Sequence, residues 1–156
     1  MRLLLFLLLT IVVATTAPSS GKHAVGAKGI LLCGAKPAEN VRVRLFRVKQ
    51  EKKDRLDQII DEGFSGPSGL FHLEGNTNGF PLNETDMKPV LTFYHSCDED
   101  ASKVDKNGYR KFSYNVPEDY VVLGAKAKKT YDMGSLNIQI EFPGEKHDKK
   151  FEARKP

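Results

Sequence analysis

The chain has 156 residues, and its 24 lysine and arginine residues exceed its 20 aspartate and glutamate residues, which gives a formal charge of +4. This mild excess favours binding to anionic surfaces only where the cations cluster, because mixed charges cancel beyond a Debye length of about 8 Å. Cations and aromatic residues are not interleaved in the pattern of nucleic-acid-binding segments, so the composition indicates no nucleic-acid partner.

The N-terminus has the pattern of a secretory signal peptide. Arg2 precedes an apolar run over residues 3–13, and small residues follow over residues 14–21. A membrane-spanning helix needs about 20 apolar residues, and this run is shorter. We therefore expect residues 1–20 to be a signal peptide that is removed on secretion, with the cut somewhere in the small-residue segment. No second long apolar run follows, so we expect a secreted, extracellular chain that does not span a membrane.

The remainder is predicted to be one domain, residues 21–145, followed by a basic C-terminal tail, residues 146–156. The chain has two cysteines, Cys33 and Cys97. An oxidising secretory route makes their pairing the default expectation. Closing a loop of that span stabilises a fold by about 4 kcal/mol in the chain-entropy description.

Most apolar segments of the mature chain alternate with a period of two, which predicts β-strands. The clearest case is residues 136–142, where four apolar residues would face one side of a strand. Residues 41–48 alternate in the same way, but the phase switches at Phe46, which indicates a bulge or a change of burial. Further strands are predicted over residues 24–33, 89–97 and 112–116.

Turn residues separate these strands. The sequence over residues 65–69 is dense in serine, glycine and proline, which predicts a hairpin between residues 58–64 and residues 70–73. Residues 75–88 and 98–108 are predicted to be loops. Pro117 opens a short helical turn. The whole pattern predicts an all-β fold, a two-layer β-sandwich of about seven to eight strands.

Two surface features carry specific chemistry. Asn83, Glu84 and Thr85 form an N-glycosylation sequon, which a secreted chain can use in a loop. We expect Asn83 to be glycosylated; the alternative is an unused sequon in a polar loop. Three lysines, Lys126, Lys128 and Lys129, form a cationic cluster, which is either a binding site for anionic surfaces or ordinary solvated surface.

Several of these segments resemble the nematode transthyretin-like family, and together they span nearly the whole mature chain. The matching segments are residues 28–38, 41–46, 66–71, 89–91, 94–97, 120–122, 130–136 and 142–145. The resemblance implies a transthyretin-like two-sheet β-sandwich, secretion, and binding to a hydrophobic molecule, a lipid or a cell surface.

The chain departs from the family pattern in its cysteines. Typical members carry two more, near the position of Tyr109 and after the segment that ends at Glu145, and both are missing here. Their joint absence is what is expected if they pair with each other, which supports a bond between Cys33 and Cys97. It also implies an untethered, mobile C-terminal tail.

No catalytic site is predicted. The related hydroxyisourate hydrolases use histidines, an arginine and a C-terminal Tyr-Arg-Gly-Ser motif, and the sequence after Phe151 does not match that motif. His95 and Cys97 lie two apart and would point to the same side of a strand, but two ligands do not make a zinc site and a disulfide would block the thiol. We expect no metal and no cofactor.

These observations leave two functional hypotheses. The first is an extracellular, non-catalytic module that binds a hydrophobic small molecule or a lipid, with Tyr94, Tyr109 and Tyr114 near the strand ends as candidate contacts. The second is an adaptor that bridges an anionic cell surface, such as one bearing phosphatidylserine, to a cell-surface receptor through its clustered cations. A third hypothesis is a host-interaction protein without a small ligand. The chain is expected to be a monomer or a dimer.

Overall fold

The structure is a computed structural model that describes residues 21–149 and 151–152. The predicted signal peptide, residues 1–20, lies outside the described residues. The strands are β1 (His23–Cys33), β2 (Lys36–Pro37), β3 (Arg42–Phe46), β4 (Ile59–Phe64), β5 (Leu70–Asn76), β6 (Val90–His95), β7 (Tyr109–Asn115), β8 (Val122–Leu123), β9 (Thr130–Asn137) and β10 (Lys146–Asp148), and the one α-helix among these residues is α1 (Ala101–Asn107). No helix in this part of the chain is long and apolar enough to cross a membrane.

The strands form two sheets that share one apolar core, so the fold is the predicted all-β sandwich. In the first sheet β1 lies at the centre; it pairs antiparallel with β2, β5 and β8 and parallel with β9. The second sheet has the strand order β10-β7-β6-β3-β4, and each neighbouring pair is antiparallel. The register of β3 against β4 shifts between Leu45 and Phe46, at the position where the sequence predicts a bulge or a change of burial.

Aromatic side chains join the two sheets across the core. The Phe71 ring of β5 packs edge-on against the Phe93 ring of β6, with the ring centroids 5.5 Å apart. Phe93 stacks on Phe112 at 4.9 Å, and Phe112 stacks on Phe142 at 4.3 Å. Aromatic pairs with these separations add stabilisation beyond the area that they bury.

Gly29 of β1 lies against side chains of the two strands that pair with β1 beside it, Phe71 of β5 and Met133 of β9. A Cβ atom added to Gly29 would lie 2.5 Å from Cγ of Met133 and 3.0 Å from the Phe71 ring. A side chain at residue 29 would therefore displace the Met133 side chain.

The predicted hairpin around residues 65–69 is wrong, because β4 and β5 lie in different sheets. The turn instead carries the chain from the second sheet to the first. Ser65 fixes this crossing: its hydroxyl donates to the carbonyl of Ala38 at 2.6 Å and accepts from the amide of Val41 at 2.9 Å.

The predicted strand over residues 136–142 is wrong beyond Asn137, where β9 ends. The Asn137 side-chain oxygen accepts the amides of Gly34 at 3.0 Å and Gln139 at 3.1 Å. A side chain that bonds the backbone two residues ahead forms a turn in place of a strand. As a result, Ile138 is buried but Ile140 is 58% exposed.

The predicted loop over residues 98–108 contains α1. Asp100 caps its N-terminus, since its carboxylate accepts the Lys103 amide at 2.9 Å. Gly108 ends the helix with a φ of +84°, and a Cβ atom there would lie 2.2 Å from the carbonyl oxygen of Asp148. The short helical turn predicted at Pro117 is present as a 3₁₀ turn over Glu118–Tyr120.

The start of the C-terminal segment is ordered against the domain, which corrects the expectation of an untethered tail. Residues Lys146–Asp148 form β10 and pair with β7. Beyond β10, the Phe151 ring packs edge-on against Tyr94, with centroids 5.0 Å apart.

Candidate functional site

The outer face of the second sheet is polar and yet buried. Alternation along the strands points Val43, Leu45 and Phe93 into the core. The side chains between them point outward, and Arg44, Thr92, Tyr94 and Lys111 are nevertheless each no more than 7% exposed. The segment between β3 and β4 and the residues after β10 cover this face.

Asp54 organises the buried charges. Its carboxylate accepts from the Lys111 Nζ at 2.6 Å and from the Tyr94 hydroxyl, and it lies 3.8 Å from Nη1 of Arg44. Arg44 Nε also donates to Glu62 at 3.0 Å. Burial, reinforced by the Asp54 carboxylate, raises the pKa of Tyr94, so its phenol stays protonated and remains a hydrogen-bond donor.

A groove opens beside these charges, between the β3–β4 segment and β10. Its volume is about 800 Å³. We call it the basic groove. Its lining residues are Lys52, Lys53, Asp54, Asn107, Lys111, Lys146, His147, Asp148, Lys149 and Glu152.

Three of the five lysines in the basic groove are free to bind an anion. Lys53 pairs with Glu152 at 2.7 Å, and Lys111 pairs with Asp54 and Asp148. The other three, Lys52, Lys146 and Lys149, are exposed and form no ion pair with any residue that the structure describes. Unpaired cations around a concave surface attract and hold a negatively charged group.

The predicted lysine cluster is a separate surface. Lys126, Lys128 and Lys129 are exposed in the connection between β8 and β9, which belongs to the first sheet, and none of them lines the basic groove. Lys129 lies over the Tyr120 ring, 4.5 Å from its centroid.

Two of the three candidate tyrosines, Tyr94 and Tyr109, line one cavity of about 350 Å³, and Tyr114 is not among its lining residues. Tyr94 is buried and bonded to Asp54, while Tyr109 lies edge-on to Phe151 with centroids 6.0 Å apart. Tyr114 contacts Tyr131, with the two hydroxyl oxygens 2.9 Å apart. That hydrogen bond raises the pKa of Tyr131 to about 12.

The structure contains the disulfide between Cys33 and Cys97, which confirms their pairing. His95 supports it, since its Nδ1 accepts the Cys97 amide at 3.2 Å. Burial lowers the pKa of His95 to about 4, and the Arg110 guanidinium adds to the shift. Among the described residues, the one group of three metal-ligand side chains close enough to share an ion is Cys33, Cys97 and Asp98, and its sulfurs are bonded to each other.

Asn83 is exposed in the 3₁₀ turn Leu82–Glu84, within the loop after β5. Arg47 holds this loop from beneath, because its guanidinium donates to the side chain of Asp86 at 2.8 Å and to Gln58 at 2.8 Å. Glycosylation of Asn83 stays a prediction, and its side chain is open to solvent.

Sequence reasoning missed the basic groove. Its lysines come from three segments far apart in the chain: the β3–β4 segment, β7, and the residues at and after β10. Only the C-terminal lysines stood out in the sequence. The three lysines among residues 49–53, Lys49, Lys52 and Lys53, carried the remaining signal.

Comparisons with known proteins agree on one family. Residues 28–117 match the TTR-52 transthyretin-like family. Transthyretin-like protein 46 of Caenorhabditis elegans is 37% identical over 144 residues, which cover 92% of this chain and 75% of the relative. Transthyretin-like protein 33 of the same nematode is 32% identical over 126 residues, which cover 81% of each chain.

Proposed function

The chain belongs to the transthyretin-like family, and from that premise we propose that it is a secreted, non-catalytic binding protein whose ligand carries a negatively charged headgroup. The supporting observation is the basic groove, with the unpaired lysines Lys52, Lys146 and Lys149 on its walls. A lipid held in this way is bound by its headgroup, and its apolar chains stay in the membrane.

The residues that line the basic groove favour a headgroup over a wholly hydrophobic ligand. Sites for apolar molecules are cavities of about 300–1,000 Å³ with mainly apolar walls. The basic groove has this volume, but every residue that lines it has a charged or polar side chain. A neighbouring cavity of about 270 Å³ shares Lys52, Asp54, Lys111 and Lys146 with it, and so extends the same polar surface.

The expected electrostatic contribution is large enough to measure. A lysine near an anionic membrane contributes about 1 kcal/mol to binding. The three unpaired lysines of the groove would therefore contribute about 3 kcal/mol, which is about a 100-fold change in affinity.

A second candidate function is an adaptor, which the separate position of Lys126, Lys128 and Lys129 favours. These lysines are exposed on the connection between β8 and β9, away from the lining of the groove. A chain with two distinct cationic surfaces can contact an anionic cell surface with one and a cell-surface receptor with the other.

Vesicle binding with two matched triple variants tests the proposal. One variant carries Lys52→Ala, Lys146→Ala and Lys149→Ala; the other carries alanine at Lys126, Lys128 and Lys129. Both lose three positive charges, so any difference reports position and not net charge. Co-sedimentation is measured with vesicles of phosphatidylcholine alone and with added phosphatidylserine, at low and high salt.

We expect salt-sensitive binding to the anionic vesicles that falls about 100-fold in the groove variant and little in the control. Loss of binding only in the control variant would show that Lys126, Lys128 and Lys129, and not the basic groove, bind the membrane. Equal binding to neutral vesicles would refute headgroup recognition. A melting-temperature shift with uncharged hydrophobes, absent with phosphoserine, would favour the hydrophobic-ligand hypothesis.

A further inference from the structure

A second recognition surface lies beside the basic groove, under the C-terminal residues. Arg44 is in the middle of β3, on the outer face of its sheet, and yet its exposure is 0%. The Phe151 ring covers it, with 4.5 Å between the Arg44 Cζ and the ring centroid, and lies 5.1 Å from the Cζ of Arg42. The same ring meets Tyr94 and Tyr109 edge-on. We call Arg42, Arg44, Tyr94 and Tyr109 the tail-covered surface.

The residue after Phe151 makes the polar contacts. Arg44 Nη2 donates to the backbone carbonyl of Glu152 at 2.5 Å, and Lys53 Nζ donates to its carboxylate at 2.7 Å. The dipeptide Phe151-Glu152 is thus held by two cation–π contacts, a backbone hydrogen bond and an ion pair. Cation–π contacts and arginine recognition of acidic groups are both used by proteins that bind short peptides.

Arg44 does not have a hydrogen-bond acceptor for every nitrogen of its guanidinium. Its Nε bonds Glu62, but its Nη1 is buried without a hydrogen bond, 3.8 Å from Asp54. A buried guanidinium that keeps an unused donor is a poor choice for a purely structural residue, because apolar residues fill such a position without that penalty.

The covering contact is local. It comes from residues beyond the end of β10 at Asp148, so it can open without breaking the pairing of β10 with β7. Opening would uncover two arginines flanked by tyrosines, a surface that suits an aromatic ring followed by an acidic group.

We propose that the tail-covered surface is a peptide-binding site for a partner segment in which an aromatic residue is directly followed by an acidic one. The chain's own Phe151 and Glu152 fill the site and compete with that partner. This inference does not rest on the proposed recognition of anionic headgroups, because the lysines that carry that proposal, Lys52, Lys146 and Lys149, make none of the contacts described for Phe151 and Glu152.

Anisotropy titration with a labelled peptide tests the site. The peptide has the sequence of residues 149–156, and the protein is either the full chain or a chain that ends at Asp148. A tethered segment has an effective concentration of about 1 mM, so a peptide with a Kd of about 0.1 mM for the open site should bind the full chain about tenfold more weakly. A control peptide with alanine in place of Phe151 has the same charge and should bind the shortened chain at least tenfold more weakly.

The outcome is decisive even if the shortened chain folds poorly. The full-length variant Phe151→Ala keeps every other residue, and we expect it to bind the peptide more tightly than the unaltered chain. Binding that is equal for the two peptides, or equal for Phe151→Ala and the unaltered chain, would overturn the proposal. If the unaltered chain forms concentration-dependent dimers and Phe151→Ala does not, the proposed partner is wrong, because a second copy of the chain then occupies the surface.

Discussion

Replacing Arg110 with alanine should destabilise the fold more than any change to a surface charge. Arg110 is 8% exposed, and its Nε donates to the Glu145 carboxylate at 2.5 Å. Its two Nη atoms donate to the carbonyls of Cys97 at 3.1 Å, Gln139 at 3.4 Å and Ile140 at 3.1 Å. The Arg110 side chain therefore links Cys97, which forms the disulfide, to the segment that leads into β10.

The loss of stability in Arg110→Ala comes mainly from the carboxylate that stays buried after the arginine is removed. The Glu145 side chain is 6% exposed, so its charge would be buried without its ion-pair partner, with the Phe142 amide at 3.2 Å still donating to it. Breaking a buried pair by removing one partner costs about 3–5 kcal/mol. Removing a lysine from an exposed pair costs no more than about 1 kcal/mol. The matched control is Lys28→Ala, because Lys28 pairs with Asp132 at 3.6 Å and both side chains are about half exposed.

Urea unfolding of the oxidised protein measures both variants. The chain has no tryptophan, so far-ultraviolet circular dichroism is the probe. We expect Arg110→Ala to lower the free energy of unfolding by about 3–5 kcal/mol, with an unchanged slope. A loss no larger than that of Lys28→Ala would refute the argument that a buried, unpaired charge dominates the effect.

Three further predictions concern pH, redox state and modification. Burial lowers the folded-state pKa of His95 to about 4 from 6.5, so the unfolded chain takes up the proton first as the pH falls. The free energy of unfolding should therefore fall by up to about 3 kcal/mol between pH 6.5 and pH 4. His95→Gln should flatten that pH dependence in urea titrations. Replacing Cys33 and Cys97 with serine, which opens a loop with a sequence separation of 64, should cost about 4 kcal/mol, measured in the same assay. Secretion from a eukaryotic host should yield glycosylated protein, and Asn83→Gln should remove the mass that a glycosidase removes; an unchanged mass would show an unused sequon.

The sequence predicted the sandwich because burial in a sheet leaves a local record. Alternation marked β3 and β7, and the phase change at Phe46 marked the register shift, since a strand with one buried face places apolar residues at every second position. The sequence also contains a local signal for α1, namely Asp100 as the N-cap and Gly108 at the end of the helix.

Features that depend on distant residues could not be predicted. The β4–β5 turn looks like a hairpin turn, and only the bonds of Ser65 to Ala38 and Val41 show that it crosses between sheets. The basic groove is assembled from three separate segments. The burial of Arg44 depends on Phe151, more than 100 residues away in the chain.

Chemical-shift mapping tests the central claim, that the basic groove binds an anionic headgroup, most directly. The isotope-labelled, full-length secreted protein is titrated with a short-chain phosphatidylserine below its micelle concentration. The account predicts saturable shifts at the amides of Lys52, Lys111 and Lys146, which are absent with the matching phosphatidylcholine. Shifts confined to residues 126–129, or equal shifts with both lipids, would contradict it.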